Sequence, residues 1–356
     1  MPDVQWLVVY SLERYNIRAA LDWALGVDGD PAIGVAVAGA SGALWAQLSL
    51  QSEGRQRLEA AVASLGAQTP VAEQARLWLW LGLLRRYGAP VEAVAALEQA
   101  IDLYREMGDE LGLGHALARL GAALTQLSRF DESAVALEEA LPLLERAGQP
   151  KALGFYYSEL GRLKKLTGEL TAARTYLDKA FTLLRDSGSE SAALGVLGNF
   201  ADMTWTLGDV DAALAAFREA VALMRKSPQT RKFLLGVSLT NLAGVHTERG
   251  ELDQALAAAR EGLPLLQEAS YAWGTLDHLA LRTALAGKVT NAARLAGYAD
   301  SAHAARQATR QANEARARNR LQLLLREKLS ADELERLLAD GAKISEEEAC
   351  RVALEG

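Results

Sequence analysis

GRLKKLTGELTAARTYLDKA, residues 161–180, decides the fold. With Leu160 before it, the stretch sets Leu160-Gly161, Gly168, Leu170, Ala173, Leu177 and Ala180 at fixed offsets. One period earlier the same offsets hold Leu120, Gly121, Phe130, Leu137 and Ala140. Later they hold Phe200, Ala201, Gly208, Val210, Ala213, Phe217 and Ala220, then Leu242, Ala243, Gly250, Leu252, Ala255 and Ala259. The turn positions are Gly88, Ser128, Gly168, Gly208 and Gly250, so successive spacings are 40, 40, 40 and 42 residues. A second series, Gly108, Gly148 and Gly188, follows the first by 20 residues and predicts where the second helix of each pair stops.

Small residues at Gly161, Ala173, Ala180, Ala213 and Ala220 predict close antiparallel helices, with Leu177 and Phe217 filling the space between layers. One pair cannot bury its apolar stripe alone, so consecutive pairs must stack. A Leu-Gly pair, a turn glycine and an Ala-x3-Leu/Phe-x2-Ala run at these offsets resemble the tetratricopeptide repeat. The resemblance implies an all-α fold: a tetratricopeptide-like α-solenoid, a right-handed superhelix of about seven helix-turn-helix repeats of ~40 residues with a C-terminal helical cap. The surplus over the common unit of about 34 residues is expected in longer helices.

Composition points the same way. Half of the 356 residues are hydrophobic, 23% are charged and only 8 are proline, as packed helices require. A formal net charge of -7 opposes general attraction to nucleic acid or an anionic membrane and favours a cytoplasmic protein. The single cysteine, Cys350, cannot form an internal disulfide. The apolar run at Trp6 to Tyr10 lacks the flanks of a signal peptide. Residues 31–52 carry no charge, but Gly34, Gly39, Ser41, Gly42, Gln47 and Ser49 dilute their hydrophobicity and predict a buried solenoid helix instead of a membrane span.

The array is expected over residues 1–300, with divergent repeats over 1–70, regular repeats over 71–268 and a degenerate repeat over 269–300. Pro228 lies in the one lengthened connection. Residues 301–356 are expected to cap the last repeat, because an open end would expose an apolar face. A long Ala/Arg/Gln-rich helix is predicted over about 290–328, followed by helices over 331–340 and 345–354. Ser330 with Glu333 and Ser345 with Glu348 are capping boxes that start the last two.

LERYNIRAALDWAL at 12–25, SEGR at 52–55 and KISEEEACRVAL at 343–354 resemble recurring segments of the repeat regions of STAND-class bacterial transcriptional regulators of the maltose-activator type. These are signal-transduction ATPases often joined to a DNA-binding domain. The resemblance implies a protein-interaction or effector-sensing array whose partners are a protein, a peptide or the ATPase and DNA-binding domains of such a regulator. A small-molecule inducer is a further ligand class. A free-standing scaffold and a peptide-signal receptor are the alternatives.

No catalytic chemistry is legible. Gly287-Lys288 is followed by Val289, and Arg282 stands where a phosphate loop needs glycine. His115, His246, His278 and His303 show no metal-ligand spacing, and no nucleophile elbow occurs. The chain is read as a non-enzyme with no cofactor and no metal. A groove is the expected site, because the first helix of each repeat of this type lines the concave side. The position two before the Leu-Gly glycine gives Arg119, Glu159, Asn199, Asn241 and His278, with Ser158, Arg162 and Asp202 beside them. Asn199 and Asn241 carry the best signal, since an amide offers both a donor and an acceptor to a ligand backbone; the alternative is that both are solvated or bond within the array. The arginines at 306, 310, 316, 318 and 320 lack interleaved aromatics and are expected on a solvated helix face or a surface for other domains.

Overall fold

The computed structural model describes Trp6, residues 9–226 and residues 232–355; the connection carrying Pro228 lies outside the described residues. All its regular structure is helical, and the fold is a tetratricopeptide-like α-solenoid. Among the described residues, helix α1 (Arg14–Ala24) precedes seven hairpins. These pair α2 (Pro31–Gln47) with α3 (Gln51–Ala63), α4 (Val71–Arg85) with α5 (Pro90–Met107), and α6 (Glu110–Gln126) with α7 (Phe130–Ala147). They continue with α8 (Pro150–Leu166) and α9 (Leu170–Asp186), α10 (Glu190–Thr206) and α11 (Val210–Lys226), then α12 (Lys232–Glu248) and α13 (Leu252–Gln267). The last begins with a 3-10 turn at Ala272–Thr275 before α14 (Leu276–Leu285) and α15 (Val289–Ala305). Three more helices follow: α16 (Ala312–Lys328), α17 (Ala331–Gly341) and α18 (Glu346–Leu354).

The repeat is held by a small-against-large joint inside each hairpin. A Cβ added to Gly82, Gly121 or Gly161 would lie 2.5, 2.7 or 2.9 Å from the Cγ of Leu97, Leu137 or Leu177 respectively, sixteen or fifteen residues on. Glycine is therefore what lets the leucine of the second helix seat against the first. Ala173, Ala180, Ala213 and Ala220 are all buried with Leu177 and Phe217, as their spacing predicts. The turns follow the predicted series: Gly168, Gly208 and Gly250 adopt left-handed backbone, and Ser128 does so at φ 56° despite its Cβ. Gly108 and Gly148 end α5 and α7 in the left-handed cap. Gly88 is not among the left-handed glycines.

The chain divides into two compact units, residues 1–196 and 197–356. In the first, α2 buries Val35, Ala38, Leu44 and Trp45, in keeping with a solenoid helix. No helix among the described residues is long and apolar enough to cross a membrane. In the second unit, α17 packs on α15, and α18 reaches α13, α14 and α15. The α15–α17 crossing is very close: a Cβ on Gly297 would meet Leu338 O at 2.1 Å, and one on Gly341 would meet Arg294 O at 2.0 Å.

The tail departs from expectation in one respect. The helix predicted over about 290–328 is two helices, interrupted over residues 306–311 with Gln307 left-handed at φ 49°. Arg310 turns out of the helical path to reach Asp277 and Asp300, and the second helix restarts behind a full capping box of Gln311 and Glu314. Ser330 and Ser345 accept the Glu333 and Glu348 amides at 3.3 and 3.1 Å and start α17 and α18.

Candidate functional site

In unit 1 the first helices α4, α6 and α8 bring together a charged cluster. Arg86, at the end of α4, donates to Glu159 on α8 at 2.7 Å, across the whole intervening hairpin. Arg162, one turn on, donates to the other Glu159 oxygen at 3.0 Å and to Ala122 O of α6 at 2.7 Å. These three side chains are only 12–14% exposed. Burial alone would raise the Glu159 pKa, but Arg86, Arg162 and Arg119 outweigh it and hold the carboxyl down at about 2. Arg119 lies over the Phe155 ring, 4.9 Å from its centre, and Arg86 over Tyr87 at 4.6 Å. Three guanidiniums thus surround one carboxylate. Burial and then Arg119 push the neighbouring His115 down to about 4, so it is neutral near pH 7.

Unit 2 carries the opposite sign on its first helices. Asp202 of α10, Glu248 of α12 and Asp277 of α14 are met by the start of α16 and the segment before it. Asn313 Nδ2 donates to Asp202 at 3.0 Å and to Thr206 at 3.3 Å. Arg316 donates to Trp205 O at 3.3 Å and to Glu248 at 3.4 Å, and Trp205 Nε1 donates to the same Glu248 oxygen at 2.6 Å. Arg310 donates to Asp277 at 2.7 Å and to Asp300 of α15 at 2.6 Å, where Arg318 also donates at 3.0 Å. Glu314 enters this acidic surface as a carboxyl: burial, with Asp277 and Asp202, raises its pKa to about 8.

Of the residues expected in the groove, Arg119, Ser158, Glu159 and Arg162 share the first-helix face of unit 1, and all are half-buried. Glu159 is not a free acid, since two arginines already neutralise it. In unit 2, Asn199 and Asn241 stand half-buried on adjacent helices, whose contact is close enough that a Cβ on Gly198 would lie 3.1 Å from Ser238 Oγ. No hydrogen bond to either asparagine side chain is present among the described residues. Asp202, expected beside the groove positions, accepts a hydrogen bond from Asn313. His278, also expected in the groove, is 4% exposed, packed 4.8 Å from the Trp205 ring and driven to about pKa 4 by burial, with Asp277, Glu248, Asp202 and Arg316 near it. In the arginine-bearing tail, Arg310, Arg316 and Arg318 donate to groups of unit 2, whereas Arg320 is exposed.

Sequence reading missed Arg86, Trp205, Asn313 and Glu314. Arg86 falls two residues before the turn position and outside the offset that selected the others. No group of His, Cys, Asp and Glu among the described residues is arranged to hold a metal.

A family profile described as the MalT-like TPR region matches residues 114–351. A second, for anaphase-promoting complex subunit 5, matches residues 78–128. No curated protein sequence matches. Among solved structures, a Rap protein complexed with competence and sporulation factor aligns with a TM-score of 0.63 at 11% identity, covering 95% of this chain and 94% of that one. NprR in complex with its cognate peptide NprX aligns at 0.50 and 15%, over 87% and 89%. A STAND protein with a tetratricopeptide repeat sensor from Pyrococcus horikoshii aligns at 0.53 and 15%, with 94% of this chain covering half of that one. At these identities the likeness is one of fold.

Proposed function

Because the chain belongs to the MalT-like TPR region family, we propose that this TPR-type protein-interaction domain is the effector-sensing array of a STAND-type transcriptional regulator. It holds a segment of partner protein or peptide against its first helices. The observation that carries the reading is the pair Asn199 and Asn241: two half-buried amides on adjacent first helices whose side chains make no hydrogen bond within the described residues. Each amide is partly open to solvent, and an amide of this kind matches the alternating donors and acceptors of a peptide backbone. In unit 1, Arg119 beside Phe155 offers a charged and an aromatic surface to the same kind of ligand.

A peptide-signal receptor is the second reading, favoured by the likeness in fold to NprR in complex with its cognate peptide. Both readings make one prediction. Asn199→Ala with Asn241→Ala should weaken binding of the captured partner or peptide about tenfold, since two lost hydrogen bonds of roughly 0.5 to 1.5 kcal/mol each sum to about 1 to 3 kcal/mol, a range that contains the 1.4 kcal/mol of a decade. The melting temperature should not fall. Equal affinity of the double variant and the parent, measured by calorimetry, overturns the assignment of these amides.

A further inference from the structure

The start of α16 meets unit 2 chiefly through polar groups, with Ala317 buried among them, and its large apolar anchors, Leu321 and Leu325, come in the following turns. Asp202, Glu248 and Asp277 come from three successive first helices, and the guanidiniums facing Glu248 and Asp277 both belong to the arm, as Arg316 and Arg310. The pairing is imperfect. Asp277 Oδ1, Arg318 Nη1 and His303 Nε2 are buried without a hydrogen-bond partner, although such groups are nearly always satisfied in a settled interior. Glu314 adds a carboxyl to a face already carrying Asp202 and Asp277, and burial together with these acids raises its pKa to about 8, although it accepts the Gln311 amide. The arm is also joined to α15 by the irregular residues 306–311 instead of continuous helix. Its charges match the face in kind, and its fit to it is incomplete.

We propose that the first-helix face of unit 2 is a recognition site for an arginine- and amide-bearing helix, that residues 310–318 of this chain are its resident occupant, and that an external helix of the same chemistry binds there by displacing them. The best external helix would keep the equivalents of Arg310, Asn313 and Arg316 and replace Glu314 by a neutral residue. This site differs from the asparagine pair proposed above in both ligand class and residues, so each stands or falls alone.

The probe is a labelled synthetic peptide of residues 306–328 carrying Glu314→Gln, titrated against the full chain and against the full chain with Asn313→Ala and Arg316→Ala, whose helicity is checked by circular dichroism. Binding should be at least tenfold tighter to the double variant, where the resident arm is weakened. Adding Asp202→Asn and Glu248→Gln to that variant should abolish the gain, as should Arg316→Ala in the peptide. Equal binding to the two chains, no binding to either, or binding indifferent to the acidic residues overturns the proposal. Hydrogen exchange on the unmodified protein gives an independent test. Amides 315–318 should exchange at least tenfold faster than those of 239–246 in α12, reporting local opening of the arm. Identical exchange in both segments would mean that the arm leaves only on global unfolding, and would overturn the proposal as well.

Discussion

Units 1 and 2 are assembled from the same hairpin, yet their first helices carry opposite charge and dispose of it differently. In unit 1 three arginines converge on Glu159 from within the repeats themselves. In unit 2 the repeats supply Asp202, Glu248 and Asp277, and the compensating arginines arrive from outside the repeat pattern, on residues 310–316. The hairpin joint thus sets where a side chain points without setting its charge. A single scaffold can therefore carry one face whose charges are settled internally and another whose charges need an added segment.

The strongest way to break this contrast is to remove the carboxylate on which unit 1 depends. Glu159→Ala would leave Arg86 and Arg162 buried without their counter-ion, a change that costs about 3 to 5 kcal/mol when a buried pair loses one member. The partial exposure of these groups places the expected loss at the lower end, and chemical denaturation would measure it. A loss below 0.5 kcal/mol, on the order of a surface pair, would show that the cluster is effectively solvated.

A smaller loss is expected where α17 closes unit 2. Gly297→Ala drives a Cβ toward the backbone oxygen of Leu338, which cannot swing aside as a side chain could. The cost is expected at the upper end of the overpacking range of about 1 to 3 kcal/mol. Exchange should rise first across residues 289–341. Unchanged exchange there would refute the close crossing.

The pH profile sharpens the contrast with the smallest effect. Glu159 has a depressed pKa, so its contribution is present above the ordinary glutamate range near 4.5 and is lost as pH falls toward about 2. Glu314 has a raised pKa, so the sign reverses: its contribution is full below 4.5 and is lost as pH rises toward about 8. The groups facing Glu314 are Asp277, Asp202, Arg310 and the Gln311 amide. Glu314→Gln should flatten the decline in stability between pH 5 and about 8, while Glu159→Gln should flatten the acid limb. Parallel profiles for parent and both variants would remove the distinction between the units.

The fold was legible because its joint is local. Gly161 and Leu177 lie sixteen residues apart, well within the reach of a periodic pattern, and so do Gly121 with Leu137. The break at 306–311 was hidden for the opposite reason. Gln307, Ala308 and Thr309 contain no glycine or proline, and the turn is imposed by Arg310 reaching an acid 33 residues away. Likewise Asn313 and Asp202 are 111 residues apart, so the arginine-rich stretch looked solvated when its partners lay beyond any local window. His278 obeyed the repeat offset and is nevertheless buried, beside Trp205 and Gly244 and near Arg316 of the distant arm, which no local window samples. The phase of Asn199 and Asn241 could be read, whereas Arg86 could not, since it sits at a helix end that the offset rule does not sample.

The Arg86–Glu159 contact also constrains how this array can change over generations. A hairpin joint is complete within its own 40 residues, so recombination between repeats can add or delete whole hairpins and leave every remaining joint intact. The Arg86–Glu159 pair does not share that tolerance, because it spans one entire hairpin and closes only when a single hairpin lies between its partners. Duplication or loss of α6–α7 would strand Arg86 without its carboxylate, while Glu159 would keep Arg162 on its own helix. The pair therefore disfavours changes in repeat number between residues 86 and 159.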